Sequence, residues 1–161
     1  MAGMLLLAGL ATSPARGSAI IPPRDLGDLA RVSEAVVLAR AGSSFTLARG
    51  GMIYTHTAFE VLDVVNGAVP HGGSLVVETS GGVLDGQGWV FAGTPRFAEE
   101  TVYLLFLNRR GAVWQPRMLA YGLLERTRAA DGSVVLNHIQ EHHDLELLPR
   151  PDGVVPEPLG A

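Results

Sequence analysis

The residues best suited to chemistry form a histidine–glutamate–histidine group near the C-terminus, His138-Ile-Gln-Glu141-His142. Its spacing matches the H-x-x-E-H pattern of one class of zinc peptidases. On a helix, both histidines would face a zinc ion and the glutamate would act as the base. Val134-Val-Leu136, immediately upstream, is instead typical of a strand, and few residues follow to supply a third ligand. We therefore expect no metal and no cofactor, with His138 and His142 as zinc ligands only in an alternative reading, a small metal-dependent hydrolase.

A second set of reactive residue types, Ser80, His56 and Asp63, could supply serine–histidine–aspartate catalysis. The sequence contains no G-x-S-x-G nucleophile turn. Strand alternation also directs His56 away from the apolar face of its own strand. We therefore predict no catalytic residue and a protein that is not an enzyme.

The glycine-rich segment Gly81–Gly88 is the better candidate for binding. It lacks the Lys-Ser/Thr pair and the following helix of a phosphate-binding loop. Binding residues concentrate on loops, and Trp89, Phe91 and Arg96 lie on or beside this one. An aromatic surface with an arginine suits a protein or glycan partner. We predict these three as ligand-binding residues; the alternative is that Trp89 and Phe91 close one end of a barrel.

Composition limits the class of protein. The 161 residues suit one domain, and the net charge of −4 argues against a nucleic-acid partner. All twelve basic residues are arginines, and the densest basic cluster is Arg109-Arg110. The chain has no cysteine, which excludes disulfides, thiolate metal sites and cysteine nucleophiles.

The N-terminus predicts export. Met4–Ala11 is apolar but too short to span a bilayer, and Gly17-Ser18-Ala19 offers the small residues of a signal-peptidase site. We expect a signal peptide over residues 1–19, a secreted or periplasmic protein, and no membrane span in the mature chain. Residues 20–143 would form the domain and residues 144–161, rich in proline, an irregular tail.

The elements that must position these residues are mostly strands. Asp25 can cap a short helix over Leu26–Glu34. The long strand Met52–Val65 places Ile53 and every second residue to Val61 on its inner face, and the apolar positions then shift phase. That shift predicts a bulge near Val61-Leu62. The other predicted strands are Ala35–Arg40, Ser74–Thr79, a short strand Trp89–Phe91, a central strand Thr101–Leu107, Val113–Leu124 interrupted at Pro116, and Ser133–Asn137, with loops over Ala41–Gly51 and the rest of Ser80–Thr94.

Four pieces of the chain, taken in order, carry a family resemblance. They are Ala35–Arg40, the stretch Phe59-Glu-Val-Leu-Asp-Val-Val-Asn-Gly67, Leu75–Thr79, and Phe97-Ala-Glu-Glu-Thr-Val-Tyr-Leu-Leu-Phe-Leu107. This order resembles the OB-fold domains of the tissue-inhibitor-of-metalloproteinases/netrin-module type, in a cysteine-free, exported bacterial variant. The resemblance implies an all-β fold, a small OB-like Greek-key barrel with one short N-terminal helix.

The resemblance carries over no functional residue. Inhibitors of that family place an N-terminal cysteine on the zinc of their target, and this chain has no cysteine. Asn66 and Glu100 also replace the lysine and glycine of the family pattern. The sequence therefore predicts an exported, non-enzymatic binding module for an extracytoplasmic protein or a glycan.

Overall fold

The computed structural model describes residues 18–139, 141, 143 and 145–155. The protein is mostly β, with one short α-helix near the N-terminus, so the predicted all-β class is confirmed at that level. In chain order the elements are β1 (Ala19–Ile20), α1 (Leu26–Arg31), β2 (Ala35–Arg49), β3 (Met52–Asn66), β4 (Ser74–Ser80), β5 (Gly82–Leu84), β6 (Gln87–Trp89), β7 (Val102–Arg110), β8 (Val113–Pro116), a 3₁₀ helix (Leu119–Gly122), β9 (Leu123–Arg128), β10 (Val134–His138) and β11 (Glu146–Leu147).

Seven strands form one sheet in the order β10-β9-β7-β2-β3-β4-β8. Strand β8 has two neighbours: it pairs antiparallel with β7, and parallel with β4 at Val77 and Trp114. Strand β7 pairs with β2 along one side and with β8 and β9 along the other. The prediction of a central strand at Thr101–Leu107 is therefore confirmed, and its apolar character on both faces fits its position.

Helix α1 begins where the sequence predicts. Asp25 is the N-cap, and its side chain accepts a 2.8 Å hydrogen bond from the backbone N–H of Asp28. The helix ends at Arg31, earlier than predicted, and Leu29 is its fully buried residue. Leu29, Val36 and Phe106 form a small core cluster between the helix and the outer face of the sheet.

The predicted bulge in β3 is present. Leu38 pairs with Asp63 and Ala39 pairs with Val61, which leaves Leu62 without a directly opposite residue. One extra residue moves every later side chain to the other face of a strand, because strand alternation has a period of two. The bulge therefore explains why the apolar positions shift phase in the sequence at Val61-Leu62.

The predicted loop Ala41–Gly51 is wrong, because β2 continues to Arg49. The pairing of β2 with β3 shifts register at two further places, between Val36 and Val37 and between Ala41 and Ser44. The shift at Ala41–Ser44, here called the second bulge, sets two residues opposite one. Glycine and serine weaken a strand by themselves, but the long partner β3 pairs with β2 on both sides of this bulge, as far as Arg49 and Met52. The chain turns only at Gly50-Gly51, where both φ values are positive (58° and 77°), as a tight hairpin requires.

The second bulge also divides the interior of the sheet. On one side the inner face is apolar, with Ala41, Phe59 and Val77 in the main core cluster. On the other side the inward positions of the same three strands carry hydroxyls. These hydroxyl residues are Ser44, Thr46, Thr55, Thr57 and Thr79. A core that changes from apolar to polar within a few residues marks one end of the interior as a place for polar contacts.

For the strand predicted over Val113–Leu124, the interruption at Pro116 is confirmed, but the prediction that the strand resumes directly after it is wrong. Strand β8 ends at Pro116, which has no N–H to extend a ladder. The chain then passes through left-handed backbone at Met118 (φ 60°) into the 3₁₀ helix before β9 begins. The predicted strand Ser133–Asn137 is found as β10, one residue further along.

The predicted tail contains a short strand. Glu146–Leu147 pairs in parallel with Ala19–Ile20, so both ends of the described chain lie together. Arg150 donates a 2.8 Å hydrogen bond to the carbonyl of Pro22. The predicted signal peptide falls outside the described residues except for Ser18 and Ala19. None of the described helices is long and apolar enough to cross a membrane.

Candidate functional site

A cavity of about 530 Å³ lies at the hydroxyl-lined end of the interior. This volume falls within the usual range of small-molecule sites, about 300–1,000 Å³. Strands β2, β3 and β4 form its floor, and the β5–β6 hairpin with the segment that follows forms its roof. The roof and wall residues are Gly81, Gly82, Val83, Trp89, Val90, Phe91, Thr94, Pro95, Arg96, Phe97 and Glu141, and Ser80 adds a further hydroxyl residue.

Hydrogen bonds tie the floor to the roof. The hydroxyl of Thr46 donates to the carbonyl of Val83 at 2.8 Å, and that of Thr55 donates to the carbonyl of Gly81 at 2.8 Å. Ser44 and Thr57 bond to each other through their hydroxyls at 2.7 Å. The protein's own hydrogen bonds therefore hold the floor in place, as a preformed site requires.

The roof exists because two glycines allow it to approach the floor. A Cβ on Gly82 (φ 133°) would lie 2.6 Å from Thr46 Cγ2 and from Thr55 Oγ1. A Cβ on Gly81 (φ 93°) would lie 2.6 Å from the carbonyl oxygen of Trp89. The segment predicted as a loop with a short strand at Trp89–Phe91 is in fact a hairpin, and its second strand ends at Trp89. Asp85 and Gly86 close it, both at positive φ (50° and 77°). An Asp-Gly pair is the usual signature of such a turn, so the sequence held the signal for this hairpin.

The structure brings the three predicted ligand-binding residues, Trp89, Phe91 and Arg96, to this one cavity. The rings of Trp89 and Phe91 are 6.2 Å apart, in a tilted contact. Trp89 keeps 39% of its surface exposed, so its ring is available at the wall. Arg96 is exposed and forms no ion pair with a described residue.

Thr94 adds a signal that sequence reasoning missed. Its hydroxyl oxygen is buried and has no hydrogen-bond partner among the described residues. A buried hydroxyl without a partner costs about 1–3 kcal/mol. Since Thr94 lines the cavity, a ligand there could remove that cost.

A buried carboxylate on the opposite, outer face of the sheet was also missed. The side chain of Glu78 is 0% exposed. It accepts hydrogen bonds from Arg49 (2.8 Å), His56 (2.8 Å) and Gln115 (3.0 Å). Burial by itself would raise the pKa of Glu78, but the bonds from Arg49, His56 and Gln115 together lower this pKa below its ordinary value. We call Glu78, Arg49, His56 and Gln115 the Glu78 cluster; finding it requires the strand register, which pairs His56 with Glu78.

The other candidate chemistry of the sequence does not come together in the described residues. His56 bonds to Glu78, and Asp63 lies beside His71, with His71 Nε2 and Asp63 Oδ1 3.7 Å apart, so Ser80, His56 and Asp63 form no hydrogen-bonded chain. His138 is the last residue of strand β10, with its ring 5.2 Å from that of Tyr121. A strand end does not give the helical face that the zinc pattern needs.

Glu141, from the same pattern, lies in the wall of the cavity, and His142 is outside the described residues. The described part of the chain holds no group of three or more potential metal ligands.

Comparison with models of protein families, with curated proteins and with solved structures gives no match. The function therefore has to be argued from the geometry of the cavity.

Proposed function

We propose that this protein is a non-enzymatic binding module that holds its ligand in the cavity beneath the β5–β6 hairpin. One observation carries the proposal: a preformed cavity of about 530 Å³ joins a hydroxyl floor to Trp89, Phe91 and Arg96. Binding sites combine apolar and aromatic walls with a few placed polar groups, and this cavity has both. In the described residues the cavity contains no hydrogen-bonded nucleophile and base, which is why binding is favoured over catalysis.

For the fold we infer an OB-like Greek-key barrel of strands β2, β3, β4, β7 and β8. The support is the set of pairings: β2 with β3, β3 with β4, β2 with β7, β7 with β8, and β4 with β8 in parallel. Each of the five strands then has two neighbours, as in a small five-stranded barrel. The likeness to the tissue-inhibitor-of-metalloproteinases/netrin type remains a proposal on the residues of Phe59–Gly67 and Phe97–Leu107.

We also propose that the module is exported and is secreted or periplasmic, because the N-terminus of the sequence is apolar. Its partner is then an extracytoplasmic molecule. A concave cavity of this volume favours a small ligand, or one residue of a glycan, over a flat contact with another protein.

The experiment that tests this function removes the roof. A variant in which Gly-Gly replaces Val83–Val90 lacks the hairpin and Trp89. The intact protein and this variant are screened by ligand-observed NMR against one mixture of small sugars, amino acids and aromatic acids. We expect saturable binding to the intact protein, and none to a variant that still melts cooperatively.

The control is Arg110→Gln, a change in an exposed arginine of β7 away from the cavity. This variant should bind as the intact protein does. If binding survives the removal of the hairpin, the cavity is not the site. If the intact protein binds no probe in the mixture, the proposed function fails.

A further inference from the structure

We propose that the ligand of this cavity is a saccharide residue, held with its hydroxyl groups on the threonine floor, one face of its ring on Trp89, and an anionic substituent at Arg96. The inference rests on the proposed function and narrows it to one chemical class. Three features of the cavity carry it: the direction of the floor hydrogen bonds, the aromatic wall and the distribution of charge.

The floor offers more hydrogen-bond acceptors than donors. A threonine hydroxyl has one proton to donate and two lone pairs to accept. Thr46 and Thr55 have already given their protons to the carbonyls of Val83 and Gly81, so their oxygens can only accept. Of the bonded pair Ser44 and Thr57, one hydroxyl proton is used between them. Thr79 and Ser80, also in the lining, keep their own hydroxyl protons, so a matching ligand must both donate to this floor and accept from it.

A sugar has this property, because each of its hydroxyls donates one proton and also accepts. Thr94 fits the same ligand, since its buried hydroxyl, which has no partner among the described residues, could donate to a ligand hydroxyl or accept from one. A purely apolar ligand would leave the floor acceptors and Thr94 unsatisfied, at a cost for each buried group.

The wall suits a ring with an apolar face. Trp89 and Phe91 stand 6.2 Å apart in a tilted contact, with Phe97 and Pro95 beside them. Aromatic side chains offer a rigid, broad apolar surface at low cost in conformational entropy. The C–H face of a sugar ring can lie on such a surface while its hydroxyls point to the floor.

The charge indicates an acidic rather than a neutral sugar. Arg96 lies in the lining, is exposed, and pairs with no described carboxylate. A guanidinium binds a carboxylate through a charge-assisted pair of hydrogen bonds. Glu141, also in the lining, would disfavour an anion close to itself and could accept from a sugar hydroxyl. We therefore expect the anionic group of the ligand to lie toward Arg96.

The test uses three probes that differ by one feature each. Methyl β-D-glucuronide has the ring, the hydroxyls and the carboxylate; methyl β-D-glucoside lacks the carboxylate; cyclohexanecarboxylate lacks the hydroxyls. Each is titrated into the ¹⁵N-labelled protein. The two tryptophans are separate reporters, because Trp89 lines the cavity and Trp114 does not.

We expect the glucuronide to shift the Trp89 indole signal and leave that of Trp114 in place. The glucoside should bind about tenfold more weakly, as the loss of one charged hydrogen-bond pair predicts. Cyclohexanecarboxylate should not saturate. Arg96→Gln should remove the preference for the glucuronide and leave the glucoside unchanged, Trp89→Ala should abolish both, and Arg110→Gln should alter neither.

Equal binding of cyclohexanecarboxylate and the glucuronide would overturn the inference, because the floor hydroxyls would then contribute nothing. Binding of an aromatic acid or amino acid from the screening mixture without any sugar would also overturn it, while the proposed function would stand. If the protein binds none of these probes, both the inference and the proposed function fail. Trp89→Ala and Arg96→Gln change partly or fully exposed side chains, so loss of binding with a preserved spectrum reports the site and not the fold.

Discussion

At the scale of single residues, Glu78 is the one buried side chain of a charged type among the described residues. A carboxylate with no exposed surface is costly unless hydrogen bonds satisfy it, and Glu78 accepts from three side chains. Its partners come from three different strands: Arg49 from β2, His56 from β3 and Gln115 from β8. The bond to Gln115 reinforces the β4–β8 contact, whose register is a single residue pair.

We predict that Glu78→Gln lowers the free energy of unfolding by about 1–3 kcal/mol, because the amide keeps the shape of the buried carboxylate but loses its charge and one acceptor oxygen. Urea unfolding followed by tryptophan fluorescence measures this loss. Glu60→Gln is the matched control, since the ion pair of Glu60 with Arg40 is largely exposed and should contribute less than about 1 kcal/mol. Equal losses in the two variants would show that the burial of Glu78 adds nothing.

At the scale of elements, the β5–β6 hairpin decides whether the cavity has a roof. Its stem passes so close to the floor that Gly82 has no room for a Cβ beside Thr46 and Thr55. Its tip is open, and a Cβ on Gly86 would meet nothing within 4 Å. Both glycines have positive φ, but Gly86 (77°) is near the left-handed region and Gly82 (133°) is far outside it, so they differ in backbone strain as well as in the space around them.

This difference predicts that Gly82→Ala destabilises the protein more than Gly86→Ala. Backbone strain costs Gly86→Ala about 1–2 kcal/mol, and it costs Gly82→Ala about 1–3 kcal/mol. The overlap with Thr46 and Thr55 adds about 1–3 kcal/mol to the cost of Gly82→Ala alone. Thermal unfolding compares the two, and the Gly82 variant should also lose affinity for any ligand of the cavity. Similar melting temperatures for both variants would mean that the hairpin stem is free to move away from the floor.

At the scale of the whole molecule, the free energy of unfolding should decrease at acidic pH. The pKa of Glu78 is lowered in the folded protein, in spite of burial, by the bonds from Arg49, His56 and Gln115. A group with a lowered folded pKa stabilises the protein above its unfolded pKa, ordinarily 4.5 for this carboxyl, and that stability is lost as pH falls through the folded pKa. The pKa values of Asp28, Asp131 and Asp152 are also lowered, so these carboxylates change the stability with pH in the same direction.

We therefore expect the carboxylates to leave the urea midpoint unchanged down to about pH 5. The midpoint should then decrease at pH values below 4.5, the ordinary pKa of the Glu78 carboxyl. Glu78→Gln should flatten this fall without abolishing it, because the three aspartates still titrate. Urea titrations at a series of pH values measure the slope. An unchanged slope in the variant would contradict a native-state role for the Glu78 carboxylate.

Much of the fold can be predicted from the sequence, and particular residues show why. The alternation of Ile53, Thr57, Phe59 and Val61 and its break at Leu62 predicted both the long strand and its bulge, because strand geometry has a fixed period. Asp25 predicted the start of the helix, because N-capping depends on one local side chain. The error at Ala41–Gly51 arose because β2 depends on pairing with β3, which no local composition reveals.

For the site, the sequence by itself determined which residue types were present: Trp89, Phe91 and Arg96 beside a glycine-rich segment, and no cysteine anywhere. Only the tertiary structure decided that these side chains share a cavity with the hydroxyls of three strands, and that Glu78 is buried against Arg49, His56 and Gln115. The physical reason is the distance along the chain over which each effect acts. Periodicity, capping and turn chemistry act between neighbours in the chain, whereas a cavity and a buried ion cluster depend on strand register and on contacts between distant segments.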